Sequence, residues 1–243
     1  MNTNYTQFCT KLRDAFSENR LSSLLDDEKA KKLFEFYLLL TETNKSMNLT
    51  AITSEDEVIL KHFVDCAFIA QSIGPNLSVI DVGCGGGFPT IPLSIVRPDL
   101  SVTALDSTQK KIDFVQTAAN ELELGNVTPI CGRAEEVITK HREQFDGCVS
   151  RAVARLNVLA EICLPFVKVG GYFTAMKSNR GGEEYKEAEK GIKLLGGSLS
   201  ALSQADLKFA GIHAERELYN FQKTAATPKA YPRRYAQILK KPL

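Results

Sequence analysis

No apolar run in this chain is long enough to cross a membrane. Its opening residues, Met1-Asn-Thr-Asn-Tyr-Thr-Gln7, lack a basic stretch followed by an apolar one, so secretion is not expected. There is no C-x-x-C pair either. The six cysteines, at 9, 66, 84, 131, 148 and 163, lie far apart, and with three scattered histidines (62, 141, 213) they offer no metal-ligand spacing. The expectation is a cytoplasmic protein with reduced, mostly buried thiols, no resident metal and no membrane anchor. A catalytic thiol stays open, but no flanking motif argues for one. Nor is either sign of charge in excess: 30 basic residues meet 29 acidic ones. The 243 residues, 44% hydrophobic and 24% charged, suffice for one large domain or a medium domain with an extension.

The balanced charge conceals an asymmetry. Residues 224–243 hold five cations, Lys229, Arg233, Arg234, Lys240 and Lys241, and no acid, which leaves 25 basic and 29 acidic residues, or −4, on the rest. Two readings fit such a tail: a contact for backbone phosphates, or a solvated terminus that aids solubility.

The stretch Val79-Ile-Asp-Val-Gly-Cys-Gly-Gly-Gly-Phe-Pro89 carries the most chemistry. A short apolar run ends in Asp81 and opens into glycines at 83, 85, 86 and 87, as a strand does before a loop that lies against a ligand. The helix beyond would present its free N–H groups and positive dipole end to that ligand. A phosphate-binding loop needs Gly-Lys-Ser/Thr, which is absent. In the dinucleotide pattern G-x-G-x-x-G the third glycine falls on Phe88 or on Thr90, so it fails in both frames. Asp-x-Gly-x-Gly-x-Gly instead resembles motif I of the class I methyltransferases that use S-adenosylmethionine. Asp81 would there orient the loop or reach the amino group of the cofactor, with Gly83, Gly85 and Gly87 giving the backbone its close approach. Asp106 ends a second β-branched run, Ser101–Asp106, at the distance where a carboxylate accepts ribose hydroxyls; it could equally be a helix cap, as could Thr108.

Apolar periodicity predicts helices over 4–20 and 26–43, and a third between a Ser54-x-x-Glu57 capping box and Gly74-Pro75. From 77 onward strands alternate with helices. Strands are expected at 77–82, 101–106, 127–131, 145–150 and 172–177, the last opened by Gly170-Gly171. Helices are expected at 88–96, 108–124, 134–140, 155–168 and 183–195, before β segments at 198–204 and 213–223. This is an α/β chain with a mostly parallel seven-stranded sheet and helices on both faces. Three parts are expected: a helical extension (1–75), a methyltransferase domain (76–224) and the basic tail (225–243). Gly83, Asp106, Ala134, Arg151 and Lys177 all fall at or just after strand ends, where such sheets bind ligands.

Further segments make the resemblance specific. They are Asn44-Lys-Ser-Met-Asn-Leu-Thr50, Lys61-His-Phe-Val-Asp65, Gly132-Arg-Ala-Glu135, Ser150-Arg-Ala-Val-Ala154 and Tyr231-Pro-Arg-Arg234. With the glycine loop, and in this order, they resemble the bacterial ribosomal RNA small-subunit methyltransferase G family, also called glucose-inhibited division protein B. The resemblance implies methyl transfer from S-adenosylmethionine to N7 of a guanosine in the 530 loop of 16S ribosomal RNA, position 527 in standard bacterial numbering. It implies cofactor contacts at Gly83, Phe88, Ala134, Glu135 and Arg151. It also makes 16S RNA or the small ribosomal subunit the partner of what is expected to be a monomer. The continuation Tyr235-Ala-Gln-Ile-Leu departs from the Ala-Gly-Thr-Pro type common in that family.

Guanine N7 has a lone pair and no proton to lose, so no general base is expected. The acidic-Pro-Pro-aromatic motif of amino-group methylating enzymes is absent after the fourth strand, where Arg151 stands. Arg151 suits the acceptor edge of guanine, or the cofactor carboxylate, or a plain surface ion pair. Lys177 joins it as a positioning group. His62, Arg155, Lys177, Arg233, Arg234, Lys240 and Lys241 are expected around the RNA, and removing residues 229–243 should leave cofactor affinity nearly intact. His62 and Asp65, one helical turn apart, either shape the substrate mouth or form a helix-surface pair. The rival readings are a small-molecule or protein methyltransferase, a nicotinamide oxidoreductase, and a non-catalytic RNA-binding assembly protein.

Overall fold

The computed structural model describes residues 4–151, 154–178 and 181–243, so Ala152 and Val153 of the Ser150–Ala154 segment lie outside the described residues. Two long helices come first, α1 (Tyr5–Glu18) and α2 (Asp27–Met47), the second ended by Asn48 in the left-handed conformation. A third helix runs through α3 (Glu55–Val58), a π-helical turn (Ile59–Val64) and α4 (Asp65–Ala70). Ser54 precedes it without a side-chain cap, so the expected capping box does not form. The wider turn brings His62, Phe63 and Val64 to a buried face together. Such turns are frequent at functional sites.

Alternation then sets in as expected. β1 (Ser78–Val82), α5 (Thr90–Val96), β2 (Ser101–Asp106), α6 (Gln109–Glu121), β3 (Val127–Cys131), α7 (Ala134–His141) and β4 (Phe145–Arg151) follow in order. After these come α8 (Leu156–Cys163), β5 (Val167–Lys177), α9 (Gly181–Leu194), β6 (Gly197–Phe209), β7 (Ile212–Lys223) and α10 (Tyr235–Lys240). Several boundaries differ from expectation. Helix 155–168 stops at Cys163, because Pro165 cannot continue it and a 3-10 turn over Leu164–Phe166 takes over. The fifth strand then starts at Val167, so Gly170 and Gly171 lie within it: Phe145 pairs with Val167 and Gly147 with Tyr172, a bulge that absorbs the pair. β6 and β7 are longer than expected and form one hairpin turned by Ala210 and Gly211.

The sheet order is β3-β2-β1-β4-β5-β7-β6, with only β7 antiparallel to its neighbours. It is a class I methyltransferase-type α/β sheet. Strand alternation sends Val79, Val102 and Ala104 into one core with α1, α2, α4, α5 and α6. Ile80, Val82 and Leu105 enter the other, with α7, α8, α9 and α10. The N-terminal helices therefore complete the first core: Phe36 lies 5.5 Å from Phe88 and 6.3 Å from Phe114, ring centre to ring centre. Arg97 adds a polar tie, donating to the carbonyls of Ala70, Ile73 and Gly74 at the end of α4 while Asp99 neutralises it. Parallel pairing of β1 with both β2 and β4 makes β1 the point where the strand order reverses, and ligands bind beyond strand ends there. None of the described helices is long and apolar enough to cross a membrane.

Candidate active site

Three cavities meet beyond the carboxyl ends of β1, β2, β4 and β5. The first is lined by Val82, Leu105, Asp106, Gly132, Ala134, Glu135, Ile162 and Tyr235. The second lies over the glycine loop and is bounded by Thr50, His62, Gly83, Gly85, Phe88, Asp106, Lys111 and Arg151. The third, about 460 Å³, is walled by Asp65, Arg151, Arg155, Met176, Lys177, Glu184 and Arg216. Gly83 and Asp106 belong to the first two, and Arg151 to the second and third, so the three adjoin one another.

The glycine loop owes its shape to backbone that other residues resist. Gly83, Gly85 and Gly87 have φ of 83°, 55° and 85°. A Cβ on Gly85 would come no closer than 4.0 Å to any neighbour and would stand in open space, whereas one on Gly87 would meet Ile91 Cγ1 at 2.8 Å. The first glycine thus keeps room for a ligand and the second makes room for a helix. Asp81 anchors the far side: its Oδ2 accepts from the amide of Thr90 at 3.2 Å and from its hydroxyl at 2.6 Å. Its Oδ1 is buried with no hydrogen-bond partner. Burial pushes the Asp81 carboxyl up to about 7, against the pull of the Thr90 bonds.

Asp106 takes up the helix-end role expected of it and holds the glycine loop besides. Oδ2 accepts from Gly85 N at 3.0 Å, which holds the loop down, and Oδ1 accepts from Thr108 N at 2.9 Å, which caps α6. Thr108 gives no side-chain cap, so the capping belongs to Asp106. Each carboxylate oxygen keeps a further lone pair beside the cavities.

Arg151 is where the N-terminal helices meet the sheet. Nη1 donates to the carbonyl of Lys61 at 2.9 Å and to Asp65 Oδ2 at 3.1 Å; Nη2 donates to His62 Nδ1 at 3.1 Å. Its guanidinium also sits 5.2 Å from the Phe88 ring centre. His62 stacks on Phe88 with ring centres 4.0 Å apart and planes 15° from parallel. Burial, and then the Arg151 charge, lower the His62 pKa to about 3, so the ring is neutral. Since arginine only donates, Nδ1 is the acceptor and Nε2–H donates to Thr50 Oγ1 at 2.9 Å. Asp65 is shared: its Oδ1 takes Arg216 Nε at 2.7 Å. The surface alternatives therefore fall for Arg151, His62 and Asp65, all of which are tied inside the site. A catalytic thiol falls too among the loop residues, because burial pushes the Cys84 thiol well above its ordinary value.

The remaining expected residues divide. Phe88 and Ala134 line the cavities as anticipated. Glu135 lines the first cavity and also accepts from Tyr235 N at 3.3 Å. Lys177 pairs with Glu184 at 2.7 Å and donates to Ala154 O; Arg155 reaches Glu187 at 2.6 Å. Arg233 does not present itself as a phosphate contact, since its side chain grips the fully buried Glu161 through Nε at 2.8 Å and Nη2 at 2.5 Å. Arg234, Lys240 and Lys241 are exposed and make no ion pair among the described residues. Lys111, Glu184 and Arg216 entered no expectation; Arg216 had a signal, a cation amid the pattern of a half-buried strand. No group of three or more His, Cys, Asp and Glu fit to hold a metal occurs among the described residues.

The family model for rRNA small subunit methyltransferase G (GidB) matches residues 29–217. The chain belongs to the rRNA small subunit methyltransferase G family. A Ribosomal RNA small subunit methyltransferase G of Clostridium botulinum is 42% identical over 98% of this chain and 99% of its own. That of Staphylococcus carnosus is 46% identical over 90% of this chain and 92% of its own. Among solved structures, M. jannaschii TYW2 in complex with AdoMet matches 66% of this chain and 75% of its own at a TM-score of 0.52 and 18% identity. Precorrin-6y C5,15-methyltransferase from Geobacter metallireducens covers 74% and 92%, with TM-score 0.52 and 13% identity. Those two likenesses concern the fold. Membership in the methyltransferase G family removes the nicotinamide reading already weakened by Phe88.

Proposed function

We propose that this protein transfers the methyl group of S-adenosylmethionine to N7 of a guanosine in 16S ribosomal RNA, the one at position 527 in the 530 loop. The carrying observation is that His62 and Asp65, the titratable acceptors beside Arg151, are both occupied. His62 spends Nδ1 on Arg151 and Nε2 on Thr50, and both oxygens of Asp65 hold arginines. The third cavity's other carboxylate, Glu184, is likewise held by Lys177, and a base-side cavity whose acceptors are all engaged suits an acceptor that has no proton to give, as guanine N7 has none.

The cavities suit the cofactor. Open space at Gly85, the Asp106 carboxylate beside both cavities and the partnerless Asp81 Oδ1 are features that a ligand with an adenosine and an amino-acid end would use. In this reading Ala134, Glu135 and Asp106 border the adenosine part, while Gly83, Gly85, Gly87, Phe88 and Arg151 hold the other end, with Asp81 fixing the loop. The bound cofactor supplies an electrophilic methyl on a sulfonium. The protein supplies alignment, which is worth on the order of 7–11 kcal/mol when reacting groups are held in line. The third cavity receives the base, with Arg151 between it and the loop, and Lys177 and Arg155 around its rim.

Residues 1–75 form one wall of this site, 76–224 the sheet that carries it, and 225–243 a tail whose Arg234, Lys240 and Lys241 face the RNA. The protein acts as a monomer in the cytoplasm, without metal, on 16S RNA or the small subunit. The test is transfer of labelled methyl to naked 16S RNA, small subunits and ribosomes in parallel, followed by cleavage specific for 7-methylguanosine. Incorporation at an amino group or a ribose oxygen overturns the proposal.

A further inference from the structure

The tail was expected to touch RNA and to matter little for the cofactor, but its packing gives it a second task. Tyr235, the first residue of α10, is a wall of the first cavity. Its backbone is anchored on both sides. Upstream, the backbone amide and the side chain of Arg233 both donate to Glu161, which has no exposure, and Arg142 donates to the carbonyls of Thr227 and Tyr231. Downstream, Ile238 is fully buried in the core beneath α8. Between these anchors the amide of Tyr235 donates to Glu135, on the helix that forms another side of the same cavity. The same cavity has an apolar part of its lining, from Val82, Leu105 and Ile162, and Asp106 belongs both to it and to the cavity over the glycine loop.

We propose that Tyr235 is the outer wall of the adenine subsite, so that the tail binds the adenosine end of the cofactor as well as lying near the RNA. An aromatic side chain and aliphatic ones around one cavity, with a carboxylate shared with the next, is the lining a flat heteroaromatic base attached to a ribose requires. The inference rests on the reading that the first cavity takes the adenosine part.

Titration calorimetry with S-adenosylhomocysteine and with 5′-methylthioadenosine, without RNA, tests it on the wild type, Tyr235→Phe and Tyr235→Ala. The alanine variant should bind both ligands about tenfold more weakly, as loss of one base–aromatic stack predicts. The phenylalanine variant should bind like the wild type, and the thermal unfolding midpoints of all three should agree. Alanine-variant affinities within about twofold of the wild type overturn the inference, as does a loss confined to S-adenosylhomocysteine, which would place Tyr235 at the amino-acid end. Failure of RNA methylation with this pattern intact would sink the acceptor and leave Tyr235 in place. A wild type that binds neither ligand would sink both.

Discussion

Replacing Asp65 by alanine is the sharpest test of how the site is held. The carboxylate is 2% exposed and joins two arginines from different elements, Arg151 Nη1 at 3.1 Å and Arg216 Nε at 2.7 Å. Removing one partner of a buried ion pair costs about 3–5 kcal/mol, because the other charge stays buried without compensation. Here the arginine side chains keep 17% and 20% exposure, so water recovers part of the loss and the lower end applies, about 3 kcal/mol. For a chain of this size that lowers the melting midpoint by about 6–12 °C. Urea unfolding followed by circular dichroism measures the free energy, and calorimetry the midpoint. Arg216→Ala, alone and combined with Asp65→Ala, closes a cycle whose coupling should be about 1–3 kcal/mol. A cost below about 1 kcal/mol for Asp65→Ala, or a coupling near zero, would refute the shared-carboxylate account.

Three further outcomes are expected. Gly85→Ala should cost the fold only about 1 kcal/mol of left-handed strain yet weaken S-adenosylhomocysteine binding more than about tenfold. Gly87→Ala should add about 1–3 kcal/mol of overpacking against Ile91, and calorimetry on both variants separates the cases. Asp81 holds its proton up to about 7 when folded but only to 3.8 when unfolded, so the folded state binds the extra proton between those values and stability falls as pH rises through them. Asp81→Asn should therefore gain about 2–3 kcal/mol relative to the wild type on going from pH 5 to pH 7.5 in urea unfolding; a constant difference would refute the assignment. His62 has the opposite sign: its pKa drops from 6.5 to about 3 on folding, so its contribution is complete above 6.5 and lost as pH falls. At pH 5 the wild type should have lost about 2 kcal/mol that His62→Gln does not lose.

The sheet was legible because its signals are local. Each strand is a short apolar run, each crossover helix has a stop, and the glycine loop can be read as letters. Boundaries went astray where a long-range partner decides: Val167 is a strand residue because Phe145 pairs with it, and a bulge lets the strand run through Gly170 and Gly171. At the site, Asp81, Asp106 and Arg151 could be found from their places at strand ends. The roles of His62 and Asp65 could not be settled, because their partners lie 89 and 86 residues away on Arg151. In the tail, the place of Arg233 was illegible for a related reason. Composition counts cations, and cannot tell that Arg233 is already spoken for by Glu161 while Arg234 beside it is exposed.

The pairing of cations with carboxylates around the third cavity bears on the direction in which charge travels. In the proposed reaction one positive charge leaves the sulfonium and arrives on the base, so the site as a whole gains none. The glycine-loop side carries Asp106 beside Lys111 and Arg151; the side that receives the charge carries Asp65 and Glu184 among Arg151, Arg155, Lys177 and Arg216. Arginine and lysine there are held as ion pairs, which keeps the donors needed to grip an RNA while moderating the field a guanosinium would meet. The salt bridges that fasten the N-terminal helices to the sheet thereby lower the electrostatic cost of making a cation inside a basic cleft.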